Sequence, residues 1–187
     1  ANTLAEFLAA PGSFTHAALS NQNITAANCQ SIADAMKDAT QLQELVLANN
    51  QIRRPGVKKI IEALGGTSVT SLNLASNNLG IHVEYIFRNL NIHLKTITHL
   101  ILDDNNFESA KIVIIASHLG SNENILTHLS LRSNQIKSNI ATDFVRALAS
   151  NTNTTLTHLD LSDNQIDDEA SVIIKQLLAR LGDRCWS

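Results

Sequence analysis

The chain has 187 residues, 44% of them hydrophobic and 17% charged, with a formal net charge of −3. That length can bury one substantial core, the apolar content excludes a disordered polyelectrolyte, and the weak negative balance excludes a general attraction to nucleic acid or anionic lipid. No apolar run reaches the ~20 residues of a membrane-spanning helix, and Ala1-Asn2-Thr3-Leu4 carries no basic signal-peptide region.

In chain order, Leu4, Phe7 and Leu8 have the spacing of a helix end stopped by Pro11-Gly12, so residues 1–12 read as a partial N-terminal helix. The chain starts without Met, as a trimmed or excised piece would. From residue 14 a unit L-x-x-L-x-L-x-x-N-x-I recurs. Its first copy, Phe14/Ala17/Leu19/Gln22/Ile24, is degenerate, with Gln in place of Asn. Leu42/Leu45/Leu47/Asn50/Ile52 and Val69/Leu72/Leu74/Asn77/Leu79 follow, then Ile97/Leu100/Leu102/Asn105/Phe107. The last two are Leu126/Leu129/Leu131/Asn134/Ile136 and Leu156/Leu159/Leu161/Asn164/Ile166. First positions at 14, 42, 69, 97, 126 and 156 give steps of 28, 27, 28, 29 and 30 residues. A fixed period of this size is the mark of a solenoid.

Between copies the apolar period changes to i, i+3, i+4, i+7, one face of a helix. The sets are Cys29/Ile32/Ala33/Met36, Val57/Ile60/Ile61/Leu64, Val83/Ile86/Phe87/Leu90, Ile112/Ile115/Ala116/Leu119, Ala141/Phe144/Val145/Leu148 and Ala170/Ile173/Ile174/Leu177. Thr25, Pro55, Ser138 and Asp167 precede their sets as helix-start signals. Residues 182–187 form the C-terminal end, where Cys185 and Trp186 either cover the stack or open a further repeat. Cys29 and Cys185 lie far apart and outside any CxxC, which points to a reducing, cytoplasmic compartment.

Each unit therefore reads as a short strand, a turn and a returning helix, so successive strands lie parallel. The ninth-position Asn is expected to bond backbone groups at the bend, giving a ladder from unit to unit. Strands sit about 4.8 Å apart and helices about 10 Å, so the stack curves with its strands inside. The expected fold is one α/β solenoid domain over residues 1–187, a curved horseshoe of about six repeats. Its parallel sheet lines the concave face and its α-helices the convex face.

These copies resemble the leucine-rich repeat proteins of the ribonuclease-inhibitor-like subtype, over residues 14 to about 181. The resemblance implies a monomeric protein-binding domain. It covers nuclease inhibitors, tropomodulins, innate-immune sensors, Ran GTPase activators and bacterial effectors. The recurrent Cys of the ribonuclease inhibitors is absent here, and so is the acidic tail typical of the Ran activators. In its Asn and Ile content and irregular unit lengths the chain resembles repeat proteins that intracellular bacteria such as Legionella deliver into host cells, which would place it in host cytosol.

The frame assigns the outward residues. Position three holds His16, Glu44, Ser71, His99, His128 and His158, each of the last three preceded by Thr (Thr98, Thr127, Thr157). Around them stand Val46, Ala48 and Ala75 towards the N-terminus, and Asp103, Asp104, Asp160 and Asp163 around Arg132 towards the C-terminus. Candidate partner contacts are His99, His128, His158, Asp103, Asp104, Arg132, Asp160, Asp163, Glu44 and Val46, suited to a protein with a basic or mixed-charge surface. A row of in-register imidazoles does not converge as the tetrahedral ligands of zinc must, so no metal site is expected. No GxxxxGK[ST], GxGxxG, GxSxG or HExxH occurs, and His158 and Asp160 lack a nucleophile to complete a triad. Neither cofactor nor intrinsic catalysis is expected; the alternative to simple binding is regulation of a GTPase, as the Ran activators practise it.

Overall fold

In a computed structural model, residues 3–89, 92–107, 112–120, 125–151, 155–179 and 185–186 are described. Six strands of three residues, each centred on the fourth position of its copy, repeat along one sheet: β1 (His16–Ala18), β2 (Glu44–Val46), β3 (Ser71–Asn73), β4 (His99–Ile101), β5 (His128–Ser130) and β6 (His158–Asp160). A seventh, β7 (Cys185–Trp186), pairs next to β6, so the backbone of the C-terminal end continues the frame. All neighbours are parallel and ordered as in sequence. Register holds position three against position three throughout: His16 faces Glu44, Ser71 faces His99, and His128 faces both His99 and His158. A slip of one residue would send every core leucine to the solvent side, so the buried face fixes the alignment.

Helices return the chain on the other side: α1 (Leu4–Ala9), α2 (Asn28–Met36), α3 (Arg53–Leu64), α4 (Val83–Arg88), α5 (Ile112–Leu119), α6 (Ser138–Ala149) and α7 (Asp168–Ala179). One continuous core lies between the layers. Leu45, Leu47, Leu72, Leu74, Leu100 and Leu102 are fully buried, and so are the apolar faces of α2, α3 and α6. At roughly 1.5–3 kcal/mol for each such side chain, the repeated leucines supply most of the drive for stacking, since no unit buries them alone. Contact at α2–α3 is close enough to demand glycine: a Cβ on Gly56 would stand 2.7 Å from Cys29 Sγ and 2.8 Å from Ile52 Cγ2. Cys29 is a core residue, its thiol pushed up to about 11 by burial, and it donates to the Thr25 carbonyl.

The asparagine ladder is present and does more than cap a bend. Asn105 Nδ2 donates to the carbonyls of Leu102 and Asp103 in its own unit and of Leu74 in the preceding one. Its Oδ1 accepts the N–H groups of Asn77 and Leu79. Asn50 and Asn134 repeat the pattern, and Asn77 and Asn164 keep its donating half with one acceptance each. Asn50, Asn77, Asn105 and Asn134 are buried but satisfied, so the cost of burying them is offset, while Asn164 is half-buried.

At the helices, α1 starts at Leu4 on a capping box, Thr3 with Glu6. Asp167 caps α7 through the Ala170 N–H, but Ser138 does not cap α6; its hydroxyl donates to Asp167 Oδ2 and accepts the Asp167 N–H, tying two units together. In α7 the buried stripe is Ala170, Ile174 and Leu178, while Ile173 is 38% exposed and Leu177 half-buried. Counted from the unit start, Ser171 and Lys175 occupy the positions that hold Ala141 and Val145 one unit earlier. Those two polar residues break the apolar spacing and shift the apparent stripe by one residue. Leu90, in the fourth apolar set, lies outside the described residues.

Candidate functional site

The solvent side of β1–β6 is one face of a sheet that no described helix covers, and its residues are set by alternation about the buried leucines. At its C-terminal half lies a shallow hollow of about 270 Å³, whose walls include Ser71, His99, Ile101, His128, Ser130, His158 and Asp160. Sequence separation of 29 to 30 residues between the histidines is erased by the register, which brings them into a stack. The ring centroids of His99 and His128 are 4.0 Å apart with planes at 15°, and those of His128 and His158 are 3.9 Å apart at 9°. That is tighter than the ~4.8 Å strand spacing, as expected of side chains converging on the inside of a curve.

Each ring is held from behind by the threonine before it. Thr98, Thr127 and Thr157 place Oγ1 at 2.8, 2.8 and 2.9 Å from Nδ1 of His99, His128 and His158. The same hydroxyls reach the main chain of the previous strand, at 3.2 Å from Thr70 O, 3.1 Å from Thr98 O and 3.1 Å from Thr127 O. With Nδ1 engaged and the rings parallel, the Nε2 atoms stand side by side and face solvent. Burial, with help from its two neighbours, lowers the pKa of His128, so the middle ring resists protonation. The Nε2 atoms do not converge, and among the described residues no group of three or more His, Cys, Asp or Glu is arranged to hold a metal ion.

The acidic residues divide into different environments. Asp103 is half-buried; it accepts from Ser130 Oγ and from the Arg132 N–H, and burial followed by the charge of Asp160 raises its pKa. Asp160 Oδ1 accepts the Ser162 N–H at 2.8 Å, as Asn73 does for Ala75 two residues on. Arg132 is not the hub of four carboxylates but is held by one: Nε and Nη2 meet Asp163 Oδ2 at 2.7 and 2.6 Å. Asp104 is exposed and accepts from Ser76 Oγ. At the N-terminal end Glu44 is bound to His16 Nδ1 at 2.6 Å, and Val46 is half-buried beside it. The structure thus joins His99, His128, His158 and Asp160 around one hollow, with Asp103 bonded to Ser130 of its wall, while Glu44 and Val46 stand two strands away.

Position eight carries a role the outward-facing reading missed. Asn21, Asn49, Ser76, Asp104, Ser133 and Asp163 all have φ between 50° and 59°, the left-handed region. Only Asn, Ser and Asp occur there, which is the signal: short polar side chains tolerate that conformation where β-branched ones do not. Asp104 and Asp163 therefore have a backbone reason to be where they are, apart from any partner.

Comparison with known proteins gives the same architecture. A family model described as leucine-rich repeat matches residues 67–80, 124–145 and 152–170. The mouse protein "NACHT, LRR and PYD domains-containing protein 14" is 30% identical over 152 residues, which is 80% of this chain but 15% of that protein. Among solved structures, leiomodin-1 actin-binding site 2 superposes with a TM-score of 0.63 at 22% identity, covering 81% of this chain and 91% of its own. Internalin C2 of Listeria monocytogenes gives 0.45 at 18% identity, covering 94% and 80%. With six strand–turn–helix units in one frame, an asparagine ladder between them and the family match on three of them, the chain is a leucine-rich repeat protein.

Proposed function

We propose that the protein is a binding module that holds a partner protein on the uncovered sheet face, centred on the histidine stack. The observation that carries this reading is the stack itself: three rings are aligned by Thr hydroxyls and by strand register, with polar edges left facing solvent. Asp103 and Asp160 flank it, Asp104 and the Arg132–Asp163 pair form its rim, and Glu44 and Val46 mark its N-terminal limit. Four carboxylates against one guanidinium suit a basic or mixed-charge partner surface.

Unit steps of 27 to 30 residues and α-helical outer elements support the ribonuclease-inhibitor-like subtype. The buried, unpaired Cys29 supports a reducing compartment. Composition alone supports the finer reading of a bacterial protein acting on host proteins in the host cytosol.

The test is affinity capture from cell lysate with the native protein, an Ile101→Arg/Ser130→Arg variant on the sheet face and a Val172→Arg variant on α7. Capture lost with the first variant and kept with the second is expected; the reverse pattern would move the binding surface to the helices. Measuring GTP hydrolysis by small GTPases with and without the protein separates binding from activation, and clear acceleration would replace the simple-module reading.

A further inference from the structure

Every threonine hydroxyl behind the histidine stack has one proton and two neighbours. One neighbour, the carbonyl oxygen of the previous threonine, is an acceptor only. It also receives two backbone N–H groups: Thr98 O, for example, takes those of Thr127 and His128, both at 2.9 Å. The other neighbour, imidazole Nδ1, either donates or accepts according to its tautomer. If the hydroxyl proton goes to the carbonyl, Nδ1 must carry the second proton and Nε2 is left with a lone pair. The three outward Nε2 atoms then present one chemistry, acceptance, and among the described residues no protein donor meets them.

The surroundings share that sign. Asp160 lies in the same hollow as the rings, with one oxygen on the Ser162 N–H, and Asp103 reaches Ser130 beside it. Ser71 on β3 ends the stack on one side and Cys185 on β7 occupies the register position next to His158 on the other. Beyond Ser71 the column continues as the Glu44–His16 pair. Arg132, a cation at the edge, is engaged by Asp163.

We propose that the threonines hold His99, His128 and His158 in the Nδ1–H tautomer, and that the resulting row of Nε2 acceptors with Asp103 and Asp160 seats an arginine or lysine side chain of the partner, which protonation of the histidines expels. The proposal rests on the sheet-face binding reading and adds the partner's chemistry to it. Acceptors in a row accept hydrogen bonds from a guanidinium or ammonium; the same atoms as N–H donors on cationic rings repel it. Binding is therefore full above the histidine range and falls as the pH drops through it. Thr98, Thr127 and Thr157 act as positioning residues.

Imidazole nitrogen NMR on the native protein tests both parts. At about pH 7.5 the spectra should show Nδ1 protonated and Nε2 bare in all three rings. An oligo-arginine peptide should then shift the three Nε2 signals and the Asp103 carboxyl, with affinity about tenfold weaker when the pH is taken to about 5. An oligo-lysine peptide distinguishes ammonium from guanidinium, and an oligo-glutamate peptide should leave these signals unmoved. His128→Phe keeps a stacking ring without the acceptor and should weaken the oligo-arginine response. Thr127→Val should loosen the tautomer of His128 alone, with rescue by Thr127→Ser. Protons found on Nε2, or oligo-glutamate bound in preference, would overturn the proposal. Silence of these signals toward oligo-arginine, with capture still lost in the Ile101→Arg/Ser130→Arg variant, would overturn the cation seat and leave the binding face standing; shifts with capture unaffected would do the opposite.

Discussion

Asn134 Oδ1 accepts the backbone N–H of Asn105 at 3.0 Å, and Asn105 Oδ1 does the same for Asn77 at the same distance. Each amide thus completes the turn of the unit before it, and removing one strands backbone groups in two units at once. Asn105→Ala should lower unfolding stability by about 3 kcal/mol or more in chemical denaturation, because buried N–H and C=O groups lose their partners together. Asn164, half-buried, should cost about 1–2 kcal/mol in the same assay. Equal losses at the two sites would show that burial of the ladder is not what sets its worth.

Position eight offers a test free of side-chain contacts. Ser133 has φ 52°. Ser133→Val should cost about 1–2 kcal/mol through backbone strain, whereas Ser133→Gly and Ser133→Asn should be close to neutral. Thermal unfolding of the three variants decides it, and a valine as stable as the native serine would remove the conformational explanation for this column.

At Gly56 the obstacle is steric. Gly56→Ala should destabilise by about 1–3 kcal/mol, since the new methyl meets Cys29 Sγ and Ile52 Cγ2 inside normal contact distance. In a double-mutant cycle, Cys29→Ala should recover part of that loss by vacating the space of the sulfur. Strict additivity would place the clash elsewhere.

The histidine stack predicts a pH dependence of stability whose sign is fixed. His128 has a lowered pKa in the fold, so the unfolded chain takes up the proton first. Stability should therefore decline as the pH falls through about 6.5 and level off once the folded ring is also protonated. Asp103, with a raised pKa, acts in the opposite sense in the carboxylate range. Denaturation midpoints at about pH 7.5 and 5.5 should converge in His128→Phe relative to the native protein; an unchanged difference would exclude His128 as its source.

Arg132 and Asp163 are both more than half exposed, and their pairing is therefore screened. Arg132→Ala should change stability by less than about 1 kcal/mol while altering the association rate of a charged partner. Calorimetry and stopped-flow association measure the two separately.

What could be read in advance followed the period. Because the unit repeats with a nearly constant step, alternation identified Leu45, Leu72, Leu100 and their equivalents as core, and the column of ninth-position asparagines as the ladder. Register then carried His99, His128 and His158 from a list to a contact. The ring spacing and the part played by the threonines were not legible, since hydroxyl partners depend on which carbonyl lies on the adjacent strand. At position eight the outward direction was legible, and Asn21, Asn49, Asp104, Ser133 and Asp163 are exposed; the left-handed backbone was not, because Asn, Ser and Asp suit any outward turn and only the dihedral angle reveals it. Ser171 and Lys175 misled the last helix because an apolar-only template followed the hydrophobic residues instead of the unit boundary.

The ladder also has a direction. Asn50 serves the turn of the first unit, Asn77 that of the second, and so on, always backwards along the chain. A ribosome delivers the units in the opposite sense. Each turn therefore leaves the exit tunnel with its amide groups still open to water, and closes only when the asparagine roughly 28 residues later has followed it out. The closing partner of each turn is therefore synthesised one repeat after the turn itself.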